Sequence, residues 1–201
     1  MNKKRKGFTL AETIITVIII GILAAITVPI LNKAKADKDT MIYRKGLYSF
    51  QRGLQKFMEG PEYEALLQEK REKGEKVIES DYLANFTKTE ICQAIAAQLN
   101  TKGKIDCSLG SNPSYVTTDG IKFWGLTGSD KFRKPTEPGQ KIYQILFIDS
   151  IEGPSQGEKN KRINNGGDAN GLRIRLNYRG KTDAYGLYER SLIKDFTKMK
   201  N

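Results

Sequence analysis

The sequence predicts an α+β fold, with a long N-terminal helix, membrane-spanning in its first half and amphipathic in its second, packed on a small antiparallel β-sheet. Three observations carry that expectation. Between Ile14 and Leu31 the only polar side chains are Thr16 and Thr27. Beyond Pro29, apolar residues recur at three- and four-residue steps, the spacing of one helix face. After Ser111 the apolar period shortens to two, as in strands with one buried face.

The first element is the apolar run. Eighteen residues at 1.5 Å each span about 27 Å, close to the hydrocarbon thickness of a bilayer. Four cations, Lys3, Lys4, Arg5 and Lys6, precede it, and one carboxylate, Glu12, stands near its start. An ionised carboxylate at the centre of a membrane costs about 2.5–3.5 kcal/mol on insertion scales, so Glu12 calls for a reason. A secretory signal peptide would use the basic residues and the Ala34-Lys35-Ala36 triplet, with a mature start at Asp37. It does not suit an apolar stretch longer than the usual signal core, or a carboxylate at the core boundary. A plain transmembrane anchor accounts for the length and leaves Glu12 without a role. Lys33, Lys35 and Lys38 flank the far end, so charge counting alone does not orient the segment.

The letters Gly7-Phe8-Thr9-Leu10-Ala11-Glu12 followed by a long apolar helix resemble the N-terminal motif of type IV prepilins and of the pseudopilins of type II secretion systems. The resemblance covers about the first 30 residues. It implies that residues 1–7 are a basic leader removed between Gly7 and Phe8 by a prepilin peptidase, that the new Phe8 amine is N-methylated, and that residues 8–31 form the transmembrane and assembly half of a pilin-like helix. It also implies that Glu12 of one subunit pairs with the Phe8 amine of a neighbour during assembly. The implied partners are copies of the chain or related pilins, the peptidase, an inner-membrane assembly platform and the membrane. The implied location is the bacterial cytoplasmic membrane, single-pass, and then an extracytoplasmic filament: a pilus (fimbrium), or a pseudopilus serving protein secretion. Physical chemistry gives the pairing a rationale, because two opposite charges in a low-dielectric helix bundle are each costly until they meet.

Gly21 and Pro29 interrupt the apolar run, and a proline inside a helix deletes one backbone hydrogen bond, which predicts a kink. Residues 32–60 read as the amphipathic half, with Leu31, Ala34, Met41, Ile42, Leu47, Phe50, Leu54 and Phe57 on the face turned to the globular part. Gly60-Pro61 supplies a stop. A single helix from Phe8 to Met58 would run roughly 75 Å. Residues 61–110 read as a connecting region with short helices. One covers 62–73, and another starts at Thr87, whose T-x-x-E spacing to Glu90 has the form of a capping box. Cys92 lies on that helix and Cys107 in the loop beyond. Two thiols in a chain with an export-like start favour a disulfide, against the alternative of two unpaired buried thiols.

Residues 111–201 read as the antiparallel sheet and a C-terminal segment. Asp119-Gly120 between two β-prone runs signals a hairpin. Residues 141–149 read as a central strand. LRIRLNYR alternates Leu172, Ile174, Leu176 and Tyr178 with Arg173, Arg175, Asn177 and Arg179. Tyr185 to Tyr188 would add an edge strand. Between the late strands, residues 149–171 read as a loop of Gly, Asn, Pro and charge. Asp149, Asp168 and Asn170 could supply oxygen ligands to Ca²⁺, and some pseudopilins bind calcium in a similar loop. However, D-x-N-G matches only a fragment of a calcium loop and lacks a bidentate glutamate, so the expectation is a surface loop and no cofactor.

The formal net charge is +11 and there is no histidine. The missing histidine excludes Ser-His-Asp and Cys-His nucleophilic sites and imidazole metal ligands, and no other constellation argues for an enzyme. Two function classes are left. The first is a prepilin-like structural subunit that polymerises. The second is a membrane-anchored extracytoplasmic binding domain that does not, and whose basic face of Arg173, Arg175 and Arg179 would engage DNA or anionic glycans.

Overall fold

The computed structural model describes residues 10–35, 38–108, 112–127, 130–132, 134–137, 140 and 142–194. The chain divides into two compact units, Met1–Lys38 and Asp39–Asn201.

In the first unit, α1 runs from Leu10 to Lys35, and its helical assignment passes through Gly21 and Pro29 without a break. From Leu10 to Val28 every side chain is exposed, and the mean hydropathy is 2.4. Length and composition suit this stretch to a bilayer. Its three threonines return their hydroxyl protons to backbone carbonyls within one turn, as in Thr13 Oγ1 to Leu10 O (2.8 Å) and Thr27 Oγ1 to Leu23 O (2.8 Å). That satisfies the hydroxyl donors within their own helix, as an apolar surrounding requires.

The second unit is built on α2, Lys38–Glu59. The expected single helix from Phe8 to Met58 is thus seen as two stretches, and the residues between them, 36 and 37, lie outside those described. Gly60 caps the next helix, α3 (Pro61–Glu72), with Pro61 in its first turn, where a missing N–H costs nothing. Gly60-Pro61 therefore ends one helix and starts another. A short 3₁₀ segment, Glu79–Asn85, leads to α4 (Lys88–Gln98). The Thr87–Glu90 capping box forms in full: the Thr87 hydroxyl accepts from Glu90 N, and Glu90 Oε2 accepts from Thr87 N at 2.6 Å.

Six strands follow, β1 (Thr101–Lys102), β2 (Tyr115–Thr117), β3 (Ile121–Phe123), β4 (Gln144–Ser150), β5 (Leu172–Leu176) and β6 (Thr182–Ala184). They form one antiparallel sheet in sequence order. The sheet begins at Thr101, ahead of the expected boundary at 111. The Asp119-Gly120 turn joins β2 to β3, and Gly120 takes the positive φ (86°) that such a turn demands. β4 lies inside the sheet as expected, in register with β5 through Leu146↔Ile174 and Ile148↔Leu172. β5 stops at Leu176, short of the expected Arg179, because the Asn177 carboxamide oxygen accepts from the N–H of Arg179 and of Lys181 and folds the chain into a turn.

The last two helices are α5 (Gln156–Asn164) and α6 (Leu187–Lys194). Both correct the sequence expectation. The 149–171 stretch is not all loop, since Ser155 and Glu158 form a second capping box that starts α5. The edge strand is β6, and Tyr185–Tyr188 is not a strand. Tyr188, Glu189 and Leu192 are buried at helical spacing, so α6 begins where a strand was expected.

The core lies between α2 and one face of the sheet. Ile121, Phe123, Leu146, Ile148, Leu172, Ile174 and Leu176 are all at most 4% exposed. α2 contributes Tyr43, Gly46, Phe50, Gly53, Leu54 and Phe57. Of the expected stripe, Phe50, Leu54 and Phe57 are buried and Ile42 and Leu47 pack half-buried against the core, while the side chains of Leu31 and Ala34 lie outside those described; Met41 departs from it, pointing to solvent at 67% exposure, and Gly46 lies at the contact. A Cβ at Gly46 would stand 2.7 Å from Ile148 Cδ1, so the absence of a side chain sets how closely helix and sheet approach. Phe50 stacks near Phe123 at 6.5 Å, and Tyr43 donates its hydroxyl proton to Arg173 O at 3.0 Å. Below this layer Phe57, Tyr63 and Phe86 meet at 5.4–5.9 Å between ring centroids.

Cys92 and Cys107 are bonded as a disulfide, Cα to Cα 5.9 Å, which fastens α4 to the loop before β2. Closing a loop of this length contributes roughly 3 kcal/mol in the chain-entropy model. Gly46→Leu should destabilise the globular unit by about 1–3 kcal/mol through overpacking against Ile148 and Ile121. Gly21→Ala, on the exposed face of α1, should leave the denaturant midpoint of that unit unchanged. Chemical denaturation followed by near-UV circular dichroism reads both.

Candidate assembly site and the charges of the globular unit

Gly7 and Phe8, the expected cleavage and methylation positions, lie outside the described residues. Glu12 is described. It stands in the first turn of α1 with its side chain exposed, where the helix dipole favours a negative group. Its carbonyl accepts the Thr16 hydroxyl proton at 2.6 Å. The apolar helix therefore presents a carboxylate at its N-terminal end, and Leu10–Val28 carries no other acidic or basic residue.

Comparison with known proteins bears on this segment first. The family model described as the prokaryotic N-terminal methylation motif matches residues 2–28. The chain is also similar to the type II secretion system core protein G of Dickeya chrysanthemi, 43% identical over 44 residues. That stretch is 21% of this chain and spans 29% of the relative's length. No solved structure matches. The N-terminal segment thus matches the methylation motif and resembles the start of a type II secretion core protein, as its letters suggested, and it precedes helices and a six-stranded antiparallel sheet in a pilin-like α+β order.

The globular unit holds a charge cluster that sequence reasoning missed. Arg162, on α5, is fully buried. Its guanidinium donates to Asp39 on α2 through Nε (2.8 Å) and Nη2 (2.7 Å), and to Asp149 on β4 through Nη1 (3.0 Å). Tyr188 on α6 adds its hydroxyl proton to Asp39 Oδ2 at 2.5 Å. Burial pushes the Asp39 carboxyl up, but hydrogen bonds from Arg162 and Tyr188 outweigh it and hold the group below the ordinary aspartate value. Burial would also lower Arg162, and the two aspartates reverse that.

This cluster bears on the calcium reading. Asp149 turns its carboxylate to a guanidinium, which fills the acceptor positions a cation would need and repels a second positive charge. Asp168 Oδ1 accepts from Asn170 N at 2.9 Å, the local bond of an Asx turn. The fold thus engages Asp149 and Asp168 separately. Among the described residues no group of three acidic or thiol side chains is placed to hold a metal.

The arginine face is likewise engaged from within. Arg173 donates through Nε to the buried Glu189 at 3.0 Å and lies 4.6 Å over the Tyr185 ring. Arg175 pairs with Asp183 and lies 4.8 Å over Tyr143. Arg179 bonds the Tyr178 hydroxyl at 2.9 Å. Cations held by carboxylates and rings are poorly placed to neutralise phosphates.

Two effects should expose the buried cluster. Arg162→Leu strands two buried carboxylates and should cost about 3–5 kcal/mol at neutral pH. The Asp39 pKa is depressed in the folded state, so its contribution is full above the unfolded value of about 3.9 and is lost as pH falls through the folded value. The gap in urea midpoint between wild type and Asp39→Asn should be widest near neutrality and shrink below about pH 4. A gap independent of pH would contradict the assignment.

Proposed function

We propose that the chain is a prepilin-like structural subunit, cleaved between Gly7 and Phe8, methylated at the Phe8 amine, and polymerised through α1 into a type IV pilus or a type II secretion pseudopilus. The observation that carries this reading is the methylation motif at residues 2–28, continuous with an apolar helix that keeps one carboxylate in its first turn. A passive anchor has no use for Glu12. An assembly helix does, because removal of the leader creates a positive amine four residues away that a neighbour's carboxylate can neutralise, and this sets the axial register between subunits.

In this reading the precursor is held at the cytoplasmic membrane. Its basic leader lies against the anionic inner leaflet, where a peptidase meets Gly7, a residue with no side chain to obstruct it. Cleavage leaves the helix in the bilayer, and an assembly platform then draws subunits out while their apolar faces exchange lipid for one another. The globular unit forms the outer part of the filament. The alternative, a non-polymerising domain that binds DNA or glycans, is disfavoured by the internal engagement of Arg173, Arg175 and Arg179.

Mass spectrometry of the protein isolated from membranes containing a prepilin peptidase should give an N-terminus at monomethylated Phe8. A start at Asp37 would show a secreted soluble protein instead. Glu12→Ala should insert in the membrane and be processed as wild type, yet fall at least about tenfold in filament incorporation, as expected when a desolvated charge loses its partner. Wild-type filament yield from that variant would overturn the charge-pairing mechanism.

A further inference from the structure

The outward face of α2 bears Tyr48, Arg52 and Lys56 at four-residue steps, so the three side chains form one stripe along the helix. Tyr48 is 65% exposed. Among the described residues, none of the three side chains makes a hydrogen bond or ion pair. They edge a shallow groove of about 320 Å³ beside Gln98, at the end of α4. An exposed tyrosine next to an arginine is the composition that recurs at the anchor points of protein interfaces, and Lys56 adds a second positive charge beside them.

On the other side of Gln98 lies a second groove, between α3 and α4, of about 470 Å³. Its floor is apolar, formed by Leu66, Ala94 and Ala97, and its rim is acidic, with Glu62 and Glu69 on α3. Glu62 makes no side-chain hydrogen bond or ion pair among the described residues, and Glu69 pairs only with the exposed Lys73. Lys70, a cation buried nearby, is already held by Glu90 at 2.8 Å and Glu75 at 3.3 Å, so it does not cancel the rim. Each copy of the chain thus carries an aromatic, cationic ridge and a groove with an apolar floor and acidic walls.

The geometry points to a second copy of this chain as the occupant of the α3–α4 groove: Tyr48 of one copy lies on its floor, and Arg52 and Lys56 pair with Glu62 and Glu69. In a polymerising subunit the ridge of each copy meets the groove of the next, a heterologous contact that repeats from copy to copy without closing. Charge complementarity selects the register, and the tyrosine supplies the desolvated anchor. This interface rests on the reading of the chain as a polymerising subunit, and it adds a contact between globular units to the pairing made by Glu12.

The test uses the full chain, carried by two differently tagged copies in one membrane together with the peptidase and assembly proteins. A carbodiimide, which joins an amine to a carboxylate in contact, should link Lys56 of one copy to Glu62 or Glu69 of the other, as mapped on peptides bearing both tags. A ladder longer than a dimer is expected. Arg52→Glu with Lys56→Glu, and separately Glu62→Lys with Glu69→Lys, should each reduce the links by at least about tenfold. Expressing the two reversed variants together should restore them, because each ridge then meets a groove of opposite charge. Protease resistance of the reversed variants should match wild type, since all four side chains are exposed. Links or filaments that survive reversal, a ladder that stops at the dimer, or no rescue on co-expression would overturn the interface. The Glu12→Ala variant reports separately on assembly. Loss of filaments there, with none lost on reversal, sinks the interface alone, whereas normal filaments there sink the charge-pairing assembly and leave the cross-links to be judged by themselves.

Discussion

The guanidinium of Arg162 is the point on which four separate parts of the globular unit converge. It joins the first turn of α2 through Asp39, the end of β4 through Asp149, and its own helix α5, while Tyr188 brings α6 onto the same carboxylate. A charge with no exposed surface is tolerable only if all these partners arrive together, since several kcal/mol of desolvation oppose it. The cluster therefore adds little net stability over an apolar filling of the same shape, yet it admits few alternative arrangements. Each partner comes from a distant part of the chain, so the cluster constrains how helix and sheet may pack rather than how any one of them forms.

Around that constraint the apolar packing is ordinary in kind. Gly46 lets α2 lie close on β3 and β4, Phe50 and Tyr43 fill the space to either side, and the disulfide holds α4 from below. The two units of the chain place their apolar residues differently. The globular unit buries its apolar residues against one another, while α1 exposes all of its side chains between Leu10 and Val28, a stretch whose length and composition suit a bilayer. That division explains how a strongly basic, mostly polar chain can carry one continuous apolar helix.

The same accounting separates the functional readings. A +11 chain invites a nucleic-acid interpretation. The arginines of β5 and of the turn after it are spent on Glu189, Asp183 and tyrosine rings, whereas Arg52 and Lys56 on α2 remain outward and, among the described residues, unengaged. The position of charge relative to its internal partners, more than its sum, indicates which surface is available to another molecule.

Local pattern was sufficient wherever a neighbouring residue supplied the cause. The apolar run, the capping box at Thr87, the Asp119-Gly120 turn and the alternation of Leu172, Ile174 and Leu176 could all be read directly, because period and short-range hydrogen bonding determine them, whereas the motif at Gly7 to Glu12 was legible by its resemblance to a known family. The middle of the 149–171 region could have been read in part, since Ser155 and Glu158 have the same spacing as Thr87 and Glu90. Its helix was hidden because the one side chain it buries is an arginine, and apolar periodicity cannot register a buried charge. The switch from strand to helix at Leu187, the margin of the α2 face that leaves Met41 outside and puts Gly46 inside, and the diversion of Asp149 to Arg162 were decided by tertiary structure. Each depends on a partner more than 10 residues away in sequence, brought near only when the sheet closes on α2.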